Sequence, residues 1–166
     1  MEAGILPRYG AVILDEAHCI EDTAAIQLGV RVSGYGVRRA LRRLYNPERQ
    51  RGLFKDDFYD EARSAVACAL DRSERFFQGL HEWTSGLDEN PCRYRGGQAI
   101  PDMLGDALER VYRSTLAVAR DEEDEGRRQE LCAVGEQVWA YRNSIHAVLD
   151  MELEGHVYWF ERFGPG

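Results

Sequence analysis

Asp15 and Glu16 stand side by side at the end of an apolar run, and His18 follows two residues later. Adjacent carboxylates suit a hard divalent cation. Mg²⁺ takes oxygen ligands and keeps several of its waters, so Asp15 is read as holding the ion through water. Glu16 is then placed to orient or deprotonate a water that attacks a phosphoryl group. The chemistry in view is metal-assisted hydrolysis of a nucleoside triphosphate. The residues ahead of the pair fit it: Ala11, Val12, Ile13 and Leu14 include no polar member. They read as a strand buried on both faces. Carboxylates at its carboxyl end lie where open α/β sheets bind ligands. The plainer alternative is a strand that ends in acidic turn residues.

Other residue types with chemical potential carry less. Cys19, Cys68, Cys92 and Cys132 are far apart, with no Cys-x-x-Cys pair. Zinc and iron–sulfur spacings both fail. Cys68 and Cys132 read as small core residues on apolar helix faces. His81 and His146 read as structural histidines, and without a Glu-x-x-His pattern a di-iron carboxylate site is not supported. Trp83, Trp139 and Trp159 could stack on bases, but Trp83 and Trp159 fall at packing positions. Arg38, Arg42 and Arg49 fall near one helical face and its continuation. Such a face is either solvated surface or the lining of a nucleic-acid path.

The elements that must position these groups are mostly helical. Residues 21–28 read as a short helix. Ser33 caps a second one carrying Val37, Leu41 and Leu44, which Asn46-Pro47 stops. Residues 48–57 are polar and read as a loop. Then Tyr59, Ala62, Val66, Ala69, Ser73, Phe76, Leu80 and Trp83 recur at three and four spacing, a buried helix stripe. Residues 93–100 read as a loop or short hairpin. Pro101 is expected to open the next helix, with Asp102 in its first turn. Residues 121–125 form an acidic turn, and Gly126 is expected to help break the chain there. A last helix buries Leu131, Val134, Val138 and Ile145 until Gly155 closes it, and Val157 and Trp159 mark a terminal strand. Substantial helices with short connections predict a mainly α fold, an antiparallel helical bundle with one short strand at each end.

The chain has 166 residues and a formal net charge of −8. That length suits one domain with a sizeable core. The acidity opposes non-specific nucleic-acid binding, since phosphate contacts supply most of that affinity. No apolar run approaches membrane-spanning length and no signal peptide is evident, so the expected location is cytoplasmic and no membrane partner is expected.

Asp15-Glu16-Ala17-His18 is a DEAH box. With Leu6-Pro7-Arg8-Tyr9 before it and Ile20-Glu21-Asp22 after it, the chain resembles the DinG/XPD branch of superfamily 2 DNA helicases. Cys19 stands where that branch typically has Asn or His. His156-Val-Tyr-Trp-Phe-Glu-Arg162 resembles the strand by which such chains return to their motor domain. The resemblance implies three parts: a motor-domain strand with the box over residues 1–20, a helical Arch-like insertion over 21–155, and the return strand over 156–166. Both end strands would belong to a P-loop helicase α/β motor domain. It implies ATP and Mg²⁺ as cofactors of a parent enzyme moving 5′ to 3′ on single-stranded DNA. Asp15 would sit at the metal, Glu16 would be catalytic and His18 would couple hydrolysis to movement. The partners would be that DNA, guided in part by Arg38, Arg42 and Arg49, and the remainder of the motor. The phosphate-binding Gly-Lys-Thr loop and an iron–sulfur cluster are expected upstream, so the chain alone is expected to be inactive. The competing expectation is a stand-alone helical protein-interaction module with a relic DEAH strand.

Overall fold

The computed structural model describes residues 10, 11, 13, 15–19, 29–96, 101–152 and 155–163. The chain divides into two compact units, Met1–Arg31 and Val32–Gly166. In the first, the one described element is a single 3₁₀ turn, Ala17–Cys19. Ala11 and Ile13 belong to no strand, and Ile13 is 97% exposed. A strand apolar on both faces needs sheet neighbours and covering layers, and the described residues of this unit contain no strand. Val12, Leu14 and the expected helix over residues 21–28 lie outside the described residues.

Four helices build the second unit among the described residues: α1 (Gly34–Leu44), α2 (Asp60–Ser85), α3 (Gly105–Asp121) and α4 (Glu125–Asp150). Ser33 caps α1 as expected, its Oγ accepting from the Gly36 N–H at 3.1 Å. Val37, Ala40, Leu41 and Leu44 form its buried stripe. The helix ends at Leu44, two residues ahead of the Asn46-Pro47 stop. The α2 stripe is as read, with Ala62, Val66, Ala69, Ser73, Phe76 and Leu80 all buried.

The boundaries of α3 and α4 differ from the sequence reading. Pro101 and Asp102 lie outside α3. Asp102 Oδ1 accepts from the N–H groups of Leu104 (3.0 Å) and Gly105 (2.7 Å), so it caps the helix from the preceding turn. Gly126 lies inside α4. Asp124 is the cap, accepting from the Arg127 N–H at 2.7 Å. The far end of α4 comes at Met151 in the left-handed region (φ 54°), not at Gly155.

Contacts fix the helix directions. Thr115 lies beside Gly135, Tyr112 stacks on Trp139 at 4.9 Å, and Glu109 pairs with Arg142 at 3.7 Å. Descending α3 therefore climbs α4. Gly36 against Tyr141 and Arg43 against Glu130 do the same for α1 and α4. Gly34 against Phe77 and Tyr45 under Arg63 do so for α1 and α2. The bundle is antiparallel, around a core that includes Leu41, Leu44, Phe54, Val66, Leu104, Leu108, Val111, Leu131 and Val138.

The described strands are β1 (Cys92–Tyr94) and β2 (Tyr158–Phe160), paired antiparallel with Arg93 opposite Trp159. The terminal strand thus has a partner inside the helical unit, in a segment whose first residue the sequence reading left outside its expected loop or hairpin. Cys92, Tyr94 and Tyr158 face inward, and Phe160 packs edge-on to Trp83 (5.6 Å) and Tyr94 (5.2 Å). No helix among the described residues is long and apolar enough to cross a membrane.

Candidate functional site

Asp15, Glu16 and His18 come together on one exposed turn. Asp15 Oδ1 accepts from the Glu16 N–H at 2.9 Å, and the Cys19 N–H closes the turn on the Glu16 carbonyl at 2.8 Å. Glu16 sits at φ 52°, an uncommon conformation for a residue with a Cβ. Its carboxylate meets the imidazole, with Glu16 Oε2 3.4 Å from His18 Nδ1. Both side chains are about three-quarters exposed, at 72% and 75%. Two water-accessible carboxylates on adjacent residues can hold a hydrated Mg²⁺ through their waters. Glu16 can take a proton from water, and His18 is placed to feel the change in its charge.

The three arginines expected to line a DNA path are only partly brought together. Arg38 (half-buried) and Arg42 (exposed) share the α1 surface one turn apart. Arg42 pairs with Glu48 at 3.3 Å. Arg49 lies in the turn beyond the helix, its backbone N–H on Asn46 Oδ1 at 3.2 Å. Because α1 ends at Leu44, Arg49 does not continue the helical face.

A neighbouring pair belongs to the same basic clusters, Arg38-Arg39 and Arg42-Arg43, but has no place in the expected DNA path. Arg39 and Arg43 line a groove of about 450 Å³ between α1 and α4, together with Tyr35, Gln137 and Tyr141. Gly36 makes the close approach possible: a Cβ there would lie 2.8 Å from the Tyr141 hydroxyl. Arg43 is paired with Glu130 at 2.8 Å, while Arg39 forms no ion pair among the described residues. The available signal was the four-residue spacing of Tyr35, Arg39 and Arg43, which puts a phenol and two guanidiniums on one flank of the helix.

The remaining candidates take structural places. Cys68 is exposed, one position off the α2 stripe, which corrects its reading as a core residue. Cys132 packs partly against the core, and Cys92 is buried within the ribbon, as the first residue of β1. Trp159 is 46% exposed on the outer face of β2 rather than packed. Trp139 stacks on the Tyr112 ring and also meets the Arg142 guanidinium, 5.2 Å from its centroid. The Tyr112 phenol is raised above its ordinary 10.0, first by burial and then by the Glu136 carboxylate that it meets at 3.4 Å.

Compared with protein-family models, with curated proteins and with solved structures, the chain matches none.

Proposed function

We propose that the chain is a segment of an ATP-dependent DNA helicase of the DinG/XPD type, running from the DEAH box through an Arch-like helical insertion. The observation that carries the reading is the order Asp15-Glu16-Ala17-His18 behind four apolar residues. In the assembled enzyme, Asp15 would hold the Mg²⁺ of Mg-ATP, which would supply charge neutralisation at the phosphates, and Glu16 would take the proton of the attacking water. His18 passes the change at Glu16 to the moving parts. Positioning of the phosphates supplies most of phosphoryl-transfer catalysis, and that task falls to the remainder of the motor. The exposure of both carboxylates supports the reading, because groups that meet Mg-ATP must be reachable by it. The basic surface of α1 then guides single-stranded DNA by phosphate contacts without reading its sequence.

The second reading, a stand-alone helical interaction module, is favoured by one observation. Tyr158–Phe160 is paired within the helical unit, by Cys92–Tyr94. The coding DNA upstream of Met1 separates the two. The helicase reading expects an in-frame Gly-Lys-Thr phosphate loop there, with four closely spaced cysteines between that loop and the DEAH box. A stop codon directly upstream of Met1, with no such loop, would overturn it.

A further inference from the structure

The C-terminal end of α4 gathers three metal-ligating side chains. His146 and Asp150 are one turn apart on the same helical face, with Nδ1 and Oδ2 3.0 Å from each other. Met151 then takes the left-handed conformation, φ 54° and ψ 39°, and the Glu152 N–H bonds back to the Ala147 carbonyl at 3.3 Å. This reversal carries Glu152 to the same imidazole nitrogen, with Oε1 3.3 Å from Nδ1. The three donor atoms all lie within 4.8 Å of one another.

From this convergence we infer a binding site for a first-row divalent cation, formed by His146 Nδ1, Asp150 Oδ2 and Glu152 Oε1. The spacing fits. Two ligand atoms each ~2.1 Å from one metal stand ~3.0 Å apart at a right angle and ~3.4 Å apart at the tetrahedral angle. The two nitrogen–oxygen separations span that range. The charge fits as well. A helix C-terminus already carries partial negative charge, and two carboxylates add to it. The last turn of α4 contains no lysine or arginine to offset them. One Nδ1 proton can make only one well-directed hydrogen bond, so His146 satisfies both carboxylates poorly, whereas a cation on its lone pair serves both at once. One imidazole with two carboxylates suits Zn²⁺ and Mn²⁺, with water in the open positions. The bound ion fastens the end of α4 to the segment that leads on to β2. None of this depends on the helicase reading.

The test is Mn²⁺ titrated into the isotope-labelled full chain, read by paramagnetic broadening of amide resonances. Residues 146–152 are expected to broaden first, separately from any broadening at residues 15–18, which reports the DEAH carboxylates. Asp150→Asn is expected to weaken Mn²⁺ binding by at least about tenfold, the least that changing even an outer-shell group costs. His146→Ala is expected to abolish it. Zn²⁺ is expected to raise the Tm of the parent chain, less that of Asp150→Asn at the same Zn²⁺ concentration, and not that of His146→Ala, because a ligand that binds only the folded form stabilises it. Broadening spread evenly over the acidic surface, or equal in parent and Asp150→Asn, would overturn the site. Because Asp150 is exposed, that variant keeps the test valid even if His146→Ala loses its fold.

Discussion

Asn90 and Arg162 are bound to each other twice. The Asn90 side-chain amide donates to the Arg162 carbonyl at 3.0 Å, and Asn90 Oδ1 accepts from the Arg162 N–H at 2.8 Å. The Arg162 guanidinium meanwhile donates to the carbonyls of Thr84 and Leu87 at the end of α2. A cation there complements the negative pole of the helix. One arginine thus ties the end of the two-stranded ribbon to the bundle. Asn90→Ala is expected to lower stability by roughly 1 to 2 kcal/mol, two modest hydrogen bonds. It should also speed amide exchange across Tyr158–Phe160. Unchanged exchange there would show that the aromatic packing of Phe160 holds the strand alone.

Among the described glycines, Gly52 is the one held closest to rigid backbone. Its φ is 137°, and a Cβ there would lie 2.4 Å from the Leu44 carbonyl oxygen, an atom of rigid backbone. The turn it completes brings the Phe54 N–H to the same carbonyl at 2.9 Å and buries Phe54 fully. Gly52→Ala is expected to cost about 3 kcal/mol, combining backbone strain with displacement of a core aromatic. The urea unfolding midpoint measures it, and a shift within error would contradict the account.

How far the sequence revealed this fold can be traced through particular residues. The helical stripes were legible because Val66, Ala69, Ser73, Phe76 and Leu80 repeat at helical spacing over many turns, and all are buried. Ser33 announced its helix by residue type alone. The start of α3 was misread because Pro101 and Asp102 fit a first helical turn and an outside cap equally well. Phe54 was hidden inside a polar stretch, because a single buried aromatic on a turn has no periodicity. The partner of β2 was hidden for a similar reason: Cys92–Tyr94 is three residues long and pairs across a long sequence separation. At the site, the DEAH order was visible at once, whereas the His146 cluster required the chain reversal at Met151, which no local motif signals.

The Tyr112 phenol offers a pH test. Its pKa is raised above 10.0, so the folded chain holds the proton more tightly than the unfolded chain does. The stability this contributes is fully present below 10.0 and is lost as pH rises through the raised value. Ultraviolet titration of the tyrosines is expected to show Tyr112 ionising late. Glu136→Gln should bring it forward by removing the neighbouring carboxylate. An unchanged profile would contradict the assigned influence of Glu136.

If α1 guides DNA, its charges should govern unwinding more than basal chemistry. If the chain is part of a longer helicase, replacing Arg38 and Arg42 of α1 together with Arg49 of the turn that follows it is expected to lower unwinding more than DNA-independent ATP turnover. Each lost phosphate contact should reduce the salt dependence of binding by about one unit of slope. Arg39→Ala with Arg43→Ala makes the comparison. A loss confined to that pair would move the path into the groove between α1 and α4, and normal unwinding by both sets would reduce α1 to a solvated face.

The central claim rests on Glu16, and the most direct measurement is single-stranded-DNA-stimulated ATP hydrolysis by the longer polypeptide, with and without Glu16→Gln. The amide keeps the size of the side chain and one hydrogen-bonding oxygen but cannot take the proton of the attacking water. The account predicts a loss of turnover on the order of 10²–10⁴-fold, the usual contribution of a positioned general base. Mg-ATP binding should be retained, and the chain of residues 1–166 by itself should show no turnover. Equal turnover by the parent and Glu16→Gln, or hydrolysis by the 166-residue chain alone, would contradict it.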